Sequence, residues 1–433
     1  MWHQPPYGKR MWRKSGRRPA SGRWHLSDRV VTSCDGVGVA GGVAAARWRD
    51  VAAVGQFRVL WLAHAQSRIG DQLARVALSV LVFERTHSPA WTALTYAMTI
   101  LPNLAGGTLL AGLADRFDRR TVMVAADLTR AALVAVMVIP GQPIAVLVVL
   151  LCLVQLPFAP FSAARNAVLP AVLPGDRYMV GLAVMRTTDQ LGLVGGIAIG
   201  ATLVTYLGTS TTLMIDAATF AASAALVRLG VGRHRPPRAG QRVNLGAGIR
   251  IVTENPQLRA LVAIACVNGF YVVPESLAVP YAAQLGQGTG AVGWLLAAVP
   301  AGSIVGMIWL KSVRPDLRLR LMAPLTVATC AVLVPSGWAP VLAVSVALWA
   351  VSGLASAHDM VVQGAFVQRV PDESRGQAIG LASAAMQAAQ GVGIVLAGLL
   401  AQVLTPAAVV GLAGAAGVVA AVAAGVAWRR AAS

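Results

Sequence analysis

The chain has 433 residues, of which 56% are hydrophobic and only 12% are charged, and its net charge is +19. About one quarter of the residues of soluble domains are charged, so this composition indicates an integral membrane protein, with the lipid bilayer as a partner. The positive charge lies in short clusters between apolar runs, which is typical of membrane loops and counts against nucleic-acid binding. The four cysteines show neither a metal-binding spacing nor a disulfide framework, so we expect no metal and no cofactor.

A basic leader, residues 1–55, precedes the apolar part of the chain. It holds ten Lys and Arg residues and four Trp residues, but it lacks the unbroken apolar core of a signal peptide. We expect a disordered segment. The alternatives are a tail that lies on anionic lipid and a start site assigned too far upstream.

Twelve apolar segments follow, each long enough for a helix to cross about 30 Å of hydrocarbon. The longest polar interruption, 228–259, separates two sets of six, and we therefore expect bundles at 56–230 and 258–433 joined by a central loop at 231–257. The predicted fold is all-α, with twelve transmembrane helices in two six-helix bundles. The predicted spans are 57–84, 90–112, 120–139, 143–164, 178–205, 211–229, 258–284, 289–310, 320–336, 339–362, 376–403 and 406–428.

The loops on the two sides of the predicted membrane differ in charge. Twenty Lys and Arg residues lie on one side, and only Arg85 lies on the other. The positive-inside rule then places both termini and the central loop in the cytoplasm.

The two halves of the chain repeat one short pattern. The segments 174–185 and 371–384 each combine Pro, an acidic residue and Arg with the start of a Gly-Leu-Ala helix, and they enter spans 5 and 11. Matching features at corresponding places indicate duplicated bundles that rock about a site near the membrane midplane. This is the pattern of a secondary transporter that works by alternating access.

A charged motif, "GLADRFDRRTVM" at 112–123, lies between spans 2 and 3. The residues that match the D-R-x-G-R-R core of motif A of the major facilitator superfamily are Asp115, Arg116, Arg119 and Arg120. Asp118 stands where that motif has Gly. With the polar residues of spans 1 and 3, the sequence over 57–428 resembles the drug:proton antiporter branch of this superfamily, which includes macrolide and enterobactin-type siderophore exporters.

The resemblance implies a monomeric transporter in the plasma (inner) membrane of a bacterium. It would export a hydrophobic or amphipathic small molecule, such as a drug, an antibiotic or a siderophore, against proton entry. The resemblance also implies that Asp115 meets the positive N-terminal end of span 11 near 374–377, while Arg116 and Arg119 hold neighbouring helix ends. Such a latch biases inward-facing against outward-facing states. The alternative is that these charges only anchor the loop at the membrane surface.

Span 5 carries a stripe of small residues in "GLVGGIAIG", formed by Gly192, Gly196 and Gly200. Small residues at this spacing let two membrane helices approach closely. The stripe partly matches motif C of the antiporters, but Ile197 replaces the Pro of that motif. We expect close helix packing here. Whether the helix also has the kink that Pro would cause stays open.

Span 1 carries Arg68, Asp71 and Arg75 through its apolar middle, and charges at that depth are functional candidates because they are costly. Their spacing places them on one helical face, so that Asp71 can pair with either arginine. Arg186 and Asp189 lie at a similar depth in span 5, and we expect one polar network. Asp71 is either a coupling carboxylate that carries protons or a structural counter-ion, and the nearby arginines favour the second role because they oppose proton uptake.

Glu275 in span 7 is a second candidate for the proton carrier, because no basic residue lies near it in sequence. Pro274 and Pro280 free backbone carbonyl groups around it, which favours a hydrated pocket. His358 and Asp359 in span 10 are expected near the cytoplasmic end, as a gate or as residues solvated at the interface.

Two further expectations concern pairing and the wall of the substrate pocket. Asp127 and Arg130 in span 3 are three residues apart, and this spacing favours an internal ion pair. Aromatic side chains are expected to line a pocket that suits an amphipathic compound better than a sugar. They are Phe158, Phe161, Phe270, Tyr271 and Trp349.

Other classes of membrane protein lack their signatures here. An ATP-driven pump needs G-x-x-x-x-G-K-[ST], and the only lysines, Lys9, Lys14 and Lys311, lie outside any such loop. No HExxH or GxSxG arrangement indicates a membrane enzyme. A nutrient or metabolite importer of the same superfamily and a transport-inactive membrane regulator stay open as alternatives.

Overall fold

The computed structural model describes residues 48–110, 113–234, 245–338, 341–371 and 375–432, and all of them belong to one compact unit. Most of the predicted leader and the middle of the predicted central loop lie outside these residues. Within the described part of the chain the secondary structure is helical throughout.

The first half of the described chain contains nine helices, which begin before the predicted first span. The short first helix belongs to the last residues of the predicted leader, where Val51 is buried and Trp48 stacks edge-on against Trp61 at 5.7 Å. The helices are α1 (Trp48–Ala52), α2 (Gly55–Thr86), α3 (Pro89–Ala97), α4 (Leu101–Leu109), α5 (Leu113–Arg116), α6 (Arg119–Met137), α7 (Ile144–Gln155), α8 (Phe158–Val172) and α9 (Asp176–Gly230).

The second half contains ten helices and one 3-10 turn, Val334–Gly337. Asn255 caps one of them by accepting hydrogen bonds from the backbone N–H groups of Gln257 and Leu258, as expected for Asn at this position. The helices are α10 (Leu245–Glu254), α11 (Pro256–Cys266), α12 (Asn268–Tyr271), α13 (Val273–Gln284), α14 (Thr289–Ser312), α15 (Pro315–Ala331), α16 (Leu342–Ser356), α17 (His358–Arg369), α18 (Arg375–Leu400) and α19 (Pro406–Ala432).

Helices cover the position of every predicted span, and eight helical segments of the described chain are long and apolar enough to cross a membrane. One of the eight is α9, which covers predicted spans 5 and 6. Its backbone leaves helical geometry at Gly208, where φ is 81°, a conformation that other residues adopt only with strain. The count of twelve spans and the placement of the termini stay predictions.

The two halves of the chain contact each other at the end opposite the arginine-rich loops. There α3 packs on α18, where Gly398 lies against Ala93, and α9 packs on α14. The hydroxyls of Thr205 and Thr289 are 2.8 Å apart across this second contact. Small residues allow both approaches.

The buried apolar core divides toward the arginine-rich end. The largest cluster contains residues of both halves, such as Val80 and Val279. Two smaller clusters lie at the arginine-rich end, and each belongs to one half: the first contains Phe57, and the second contains Trp428. Among the described residues, the halves therefore share a core at one end and have separate cores at the other.

Candidate functional site

The charged residues Arg68, Asp71 and Arg75 of α2 contact several other helices. The guanidinium of Arg68 lies 3.4 Å from the Asp71 carboxylate, as the spacing allowed. The other oxygen of Asp71 pairs with Arg130 of α6, which the sequence did not indicate as its partner. Arg75 turns away and lies 5.1 Å from the ring centre of Tyr96 on α3. Of the two arginines that could pair with Asp71 on its own helix, only Arg68 does so among the described residues.

Arg130 is fully buried and connects four helices. Its Nε donates to the carbonyl of Val154, at 3.1 Å, and its guanidinium lies 4.0 Å from the ring centre of Phe220. The expected ion pair between Asp127 and Arg130 is not formed. Instead Asp127 accepts a 2.5 Å hydrogen bond from Ser223 of α9, while Arg130 pairs with Asp71 of α2.

Asp216 in the second segment of α9 is a buried carboxylate that sequence reasoning missed. It is fully buried, and it interacts electrostatically with Asp71 and Arg130. Gly70 permits this approach, since a Cβ there would overlap the side chains of Asp216 and Thr219. The signal was present in "LMIDAATF", a single carboxylate in an apolar span, which is the same reason that singled out Asp71.

A second charged cluster joins α2, α8 and α9. Arg68 lies 3.2 Å from Asp189, so it bridges Asp189 and Asp71 as the predicted network required. His64 Nε2 lies 2.9 Å from the same Asp189 oxygen, and Arg165 of α8 donates to the His64 ring. Sequence reasoning missed His64. It placed Arg165 in a loop because it ended span 4 at 164, but the helix continues to Val172 and leaves Arg165 only 9% exposed.

Arg186, the remaining member of the predicted network, stands apart from this cluster. It is exposed, and it makes no hydrogen bond or ion pair with any described residue. It interacts electrostatically with Arg165. Both arginines line a cavity of about 330 Å³ between α8 and α9.

Glu275 links the two halves of the chain. Its carboxylate accepts a 2.5 Å hydrogen bond from the hydroxyl of Tyr96, which belongs to α3 of the first half. Arg75 interacts electrostatically with Glu275. The fold therefore supplies the basic neighbour that the local sequence lacks, at the end where the halves are in contact.

His358 and Asp359 lie deeper in the second half than expected. The helical segment around them runs from Leu342 to Arg369, beyond the predicted end of span 10 at 362, so that both residues lie near its middle. Asp359 accepts a 2.6 Å hydrogen bond from Tyr271, whose hydroxyl also accepts from Asn268. His358 is fully buried, with Nδ1 3.0 Å from the carbonyl of Ala355.

The expected aromatic wall is only partly available to a substrate. Trp349 and Phe161 are buried in the core, and Trp349 packs edge-on against Tyr281 at 5.2 Å. Phe158 instead lies 5.9 Å beneath the guanidiniums of both Arg68 and Arg130.

The arginines of motif A hold helix ends together. Arg119 donates to the carbonyl of Ala167 in the second half of α8, and Arg120 donates to the carbonyls of Arg228, in the last turn of α9, and Val231, just after that helix. Arg116 is exposed. The side chain of Asp115 and the residues 372–374 lie outside what the structure describes, so the predicted latch with α18 stays a prediction.

Asp118, which replaces the Gly of motif A, caps α6 by accepting a 3.1 Å hydrogen bond from the backbone N–H of Thr121. We expect Asp118→Ala to lower the free energy of unfolding by about 1 kcal/mol, since the first turn of the helix loses its acceptor. Thermal unfolding of the purified protein measures this change. Asp118→Asn retains the acceptor and serves as the control; an equal loss in both variants would contradict the capping role.

The glycine stripe of α9 faces α2. A Cβ added at Gly192, Gly196 or Gly200 would lie 3.2, 2.8 or 3.2 Å from the nearest atoms of Arg68, Gln72 and Leu73, in that order. At this contact α2 and α9 therefore approach closely and hold Asp71 and Asp189 on adjacent helices. No group of three metal-ligating side chains occurs among the described residues.

Residues 60–314 match the family model of the Major Facilitator Superfamily, more than half of the chain. The chain belongs to this superfamily. As a member it is a multi-pass membrane transporter, and the resemblance to the exporter branch is confirmed by its relatives.

Several curated members of the superfamily are similar over most of the chain. The multidrug efflux pump Tap of Mycobacterium tuberculosis (strain ATCC 25618 / H37Rv) is 29% identical over 357 residues, which cover 76% of this chain and 83% of Tap. The enterobactin exporter EntS of Escherichia coli O1:K1 / APEC is 28% identical over 81% of this chain and 86% of EntS. Macrolide efflux protein A of Streptococcus pyogenes is 23% identical over 52% of this chain and 58% of that protein.

Solved structures show the same fold at low identity. An auto-inhibited peptide transporter of the POT family aligns with a TM-score of 0.71 at 14% identity, over 87% of this chain and 97% of its own. A bacterial homologue of the human lysosomal transporter Spinster, inward-facing and unoccupied, aligns with a TM-score of 0.63 at 15% identity, over 87% and 94%.

Proposed function

We propose that this superfamily member exports a hydrophobic or amphipathic small molecule across the plasma membrane of a bacterium by proton-coupled alternating access. Its relatives are named as efflux or export proteins for multiple drugs, macrolides and enterobactin, which supports export. The excess of arginine in the loops at one end supports a cytoplasmic position for that end.

The conformation supports alternating access. The halves share one core away from the arginine-rich loops and have separate cores beside them. With the arginine-rich end in the cytoplasm, this is a state closed to the outside. The reverse state requires the contacts of α3 with α18 and of α9 with α14 to separate.

The observation that carries proton coupling is the hydrogen bond from Tyr96 to Glu275, which crosses the contact between the halves. In the present state Glu275 accepts this bond as a carboxylate. When the halves separate at that end, Glu275 loses its donor and faces the outside, where it takes up a proton. Release of that proton toward the cytoplasm restores the bond and closes the outer end.

Asp71 has the structural role in this proposal. Two guanidiniums, those of Arg68 and Arg130, contact its carboxylate, and each opposes proton uptake. A carboxylate held in this way neutralises buried arginines and fixes α2 against α6. The sequence left open whether Asp71 or Glu275 carries the proton, and we propose Glu275.

Transport in everted membrane vesicles tests the proposal, with lipophilic dyes, macrolides and siderophores offered with and without a proton gradient. We expect Glu275→Gln to lower gradient-driven uptake of the transported compound at least tenfold, because its neutral amide cannot carry a proton, while counterflow exchange persists. Glu254→Gln, at an exposed carboxylate of α10, is the matched control and should transport like the wild type.

The same assay contains the results that would contradict the proposal. Gradient-driven uptake that survives Glu275→Gln would remove Glu275 as the coupling residue. Accumulation in right-side-out vesicles instead of everted ones would make the protein an importer. Absence of flux for every compound, with folded protein present, would support a regulator.

A further inference from the structure

We propose that the cavity between α8 and α9 binds the anionic group, a phosphate or a carboxylate, of an amphipathic ligand. This inference rests on the proposed function in that the ligand is the transported molecule. The sequence singled out two residues of its wall, Arg186 and Asp189, as members of a polar network, but it did not indicate the cavity, because Arg165 was expected in a loop and Tyr178 in no site.

The wall of the cavity divides into a polar and an apolar part. Leu169, Leu182 and Met185 supply an apolar surface that suits a hydrocarbon or aromatic tail. The polar residues of the wall are Ser162, Arg165, Asn166, Tyr178, Arg186 and Asp189. Because Asn166 and Arg186 are exposed, the cavity opens at the protein surface. Its volume of about 330 Å³ holds a small aromatic anion.

The charges around the cavity do not balance. The one carboxylate in the wall, Asp189, is already occupied by Arg68 at 3.2 Å and by His64 at 2.9 Å. Two guanidiniums in the wall, those of Arg165 and Arg186, have no carboxylate within ion-pair distance among the described residues. The cavity therefore carries an excess of positive charge.

Part of this excess positive charge is buried, because it belongs to Arg165. Its guanidinium donates to the Nδ1 atom of His64, so that this imidazole is neutral and donates through Nε2 to Asp189. Arg165 is 9% exposed and its hydrogen-bond acceptors are neutral, and the one carboxylate with which it interacts electrostatically, Asp189, is shared with Arg68 and His64. An anion in the cavity would complete the environment of this buried cation. Arg165 and Arg186 line the same cavity and interact electrostatically, and the N–H groups of both guanidiniums can donate to one phosphate or carboxylate.

An anionic group in this cavity has two sources, a transported molecule and a phospholipid headgroup. The shared chemistry is a phosphate or carboxylate next to an apolar tail. We assign the site to the transported molecule because the cavity's own apolar residues accommodate the tail, and the experiment separates the two sources.

Calorimetric titration of the full-length protein in phosphatidylcholine nanodiscs tests the inference, with phenyl phosphate, benzamide and benzyltrimethylammonium as anionic, neutral and cationic probes. We expect phenyl phosphate to bind at least tenfold more tightly than the other two. Arg165→Gln should raise its Kd about tenfold and Arg186→Gln about fivefold, since each removes one charged donor. Arg177→Gln is the control, because this exposed arginine lies nine residues earlier on α9, on the opposite face.

Each outcome decides the inference. Equal affinity for the three probes would overturn it, and so would an unchanged Kd for phenyl phosphate in Arg186→Gln. The test with Arg186→Gln can be made even if Arg165→Gln fails to fold. Displacement of phenyl phosphate by soluble dihexanoyl phosphatidylglycerol at a tenth of the phenyl phosphate concentration would assign the site to a headgroup and overturn the link to transport. Displacement that needs a higher concentration of this lipid would support a site for the transported molecule.

Failure here and failure of the proposed function give different results. Selective binding of phenyl phosphate without gradient-driven flux of any compound would uphold the anion site and contradict the exporter. Gradient-driven flux in a protein that shows no preference for the anionic probe would uphold the exporter and overturn the anion site.

Discussion

Replacing Arg130 by methionine is expected to lower the free energy of unfolding by about 3–5 kcal/mol, the usual loss when one partner of a buried ion pair is removed. Arg130 is fully buried and pairs with Asp71. The substitution would also leave Asp127 and Asp216, both fully buried, without the guanidinium that faces them. Thermal and SDS-induced unfolding of the purified protein measures the loss.

A double substitution tests the physical reason for this loss. Arg130→Met combined with Asp71→Leu removes both charges, and a buried pair replaced by apolar residues is often neutral in stability. We therefore expect the double variant to unfold with a smaller loss than the single one. Arg228→Met, at an exposed arginine, is the control. A single variant as stable as the wild type, or a double variant no better than the single one, would contradict the account.

Gly353→Ala is expected to lower the free energy of unfolding by about 3 kcal/mol, because the helices α14 and α16 cross there with their backbones in contact. A Cβ at Gly353 would overlap the carbonyl of Val299. The crossing is reciprocal, since a Cβ at Gly302 would overlap the carbonyl of Ala350. Both neighbours are backbone atoms and have little freedom to move. The decrease in the melting temperature of the purified protein in detergent measures the effect.

Gly364 on α17 provides the matched control for this prediction. No atom lies within 4 Å of the position that its Cβ would occupy. Ala is the better helix former by about 1 kcal/mol, so Gly364→Ala should leave stability unchanged or raise it. Opposite signs at the two glycines would support the backbone contact, and a stable Gly353→Ala variant would contradict it.

The positions of the helices could be predicted from the sequence because hydropathy is a property of contiguous residues. Every predicted span has helix at its place, from α2 to α19, and the errors are at the ends. Predicted span 4 ended at 164 and span 10 at 362, yet both helices continue for several residues. Arg165 was misplaced for this reason, since a charge at an apolar boundary looks like the start of a loop.

The pairing of charged residues was harder to predict, because it depends on which helices are neighbours. Local spacing correctly indicated Arg68 as a partner of Asp71, since both lie on α2. It failed for Asp127 and Arg130, whose partners Ser223 and Asp71 lie 96 and 59 residues away in sequence. A spacing of three residues makes a contact possible, but neighbouring helices can offer better partners.

Composition, the apolar segments and the motif at 112–123 determined by themselves that this is a membrane transporter of the major facilitator type, because these signals are carried by neighbouring residues. Only the tertiary structure decided that Arg130 neutralises Asp71, that Tyr96 of one half binds Glu275 of the other, and that Arg165 faces a cavity beside Arg186. Each of these contacts joins different helices. The physical reason is that a buried charge is stabilised by the groups folded around it, and these lie far from it along the chain.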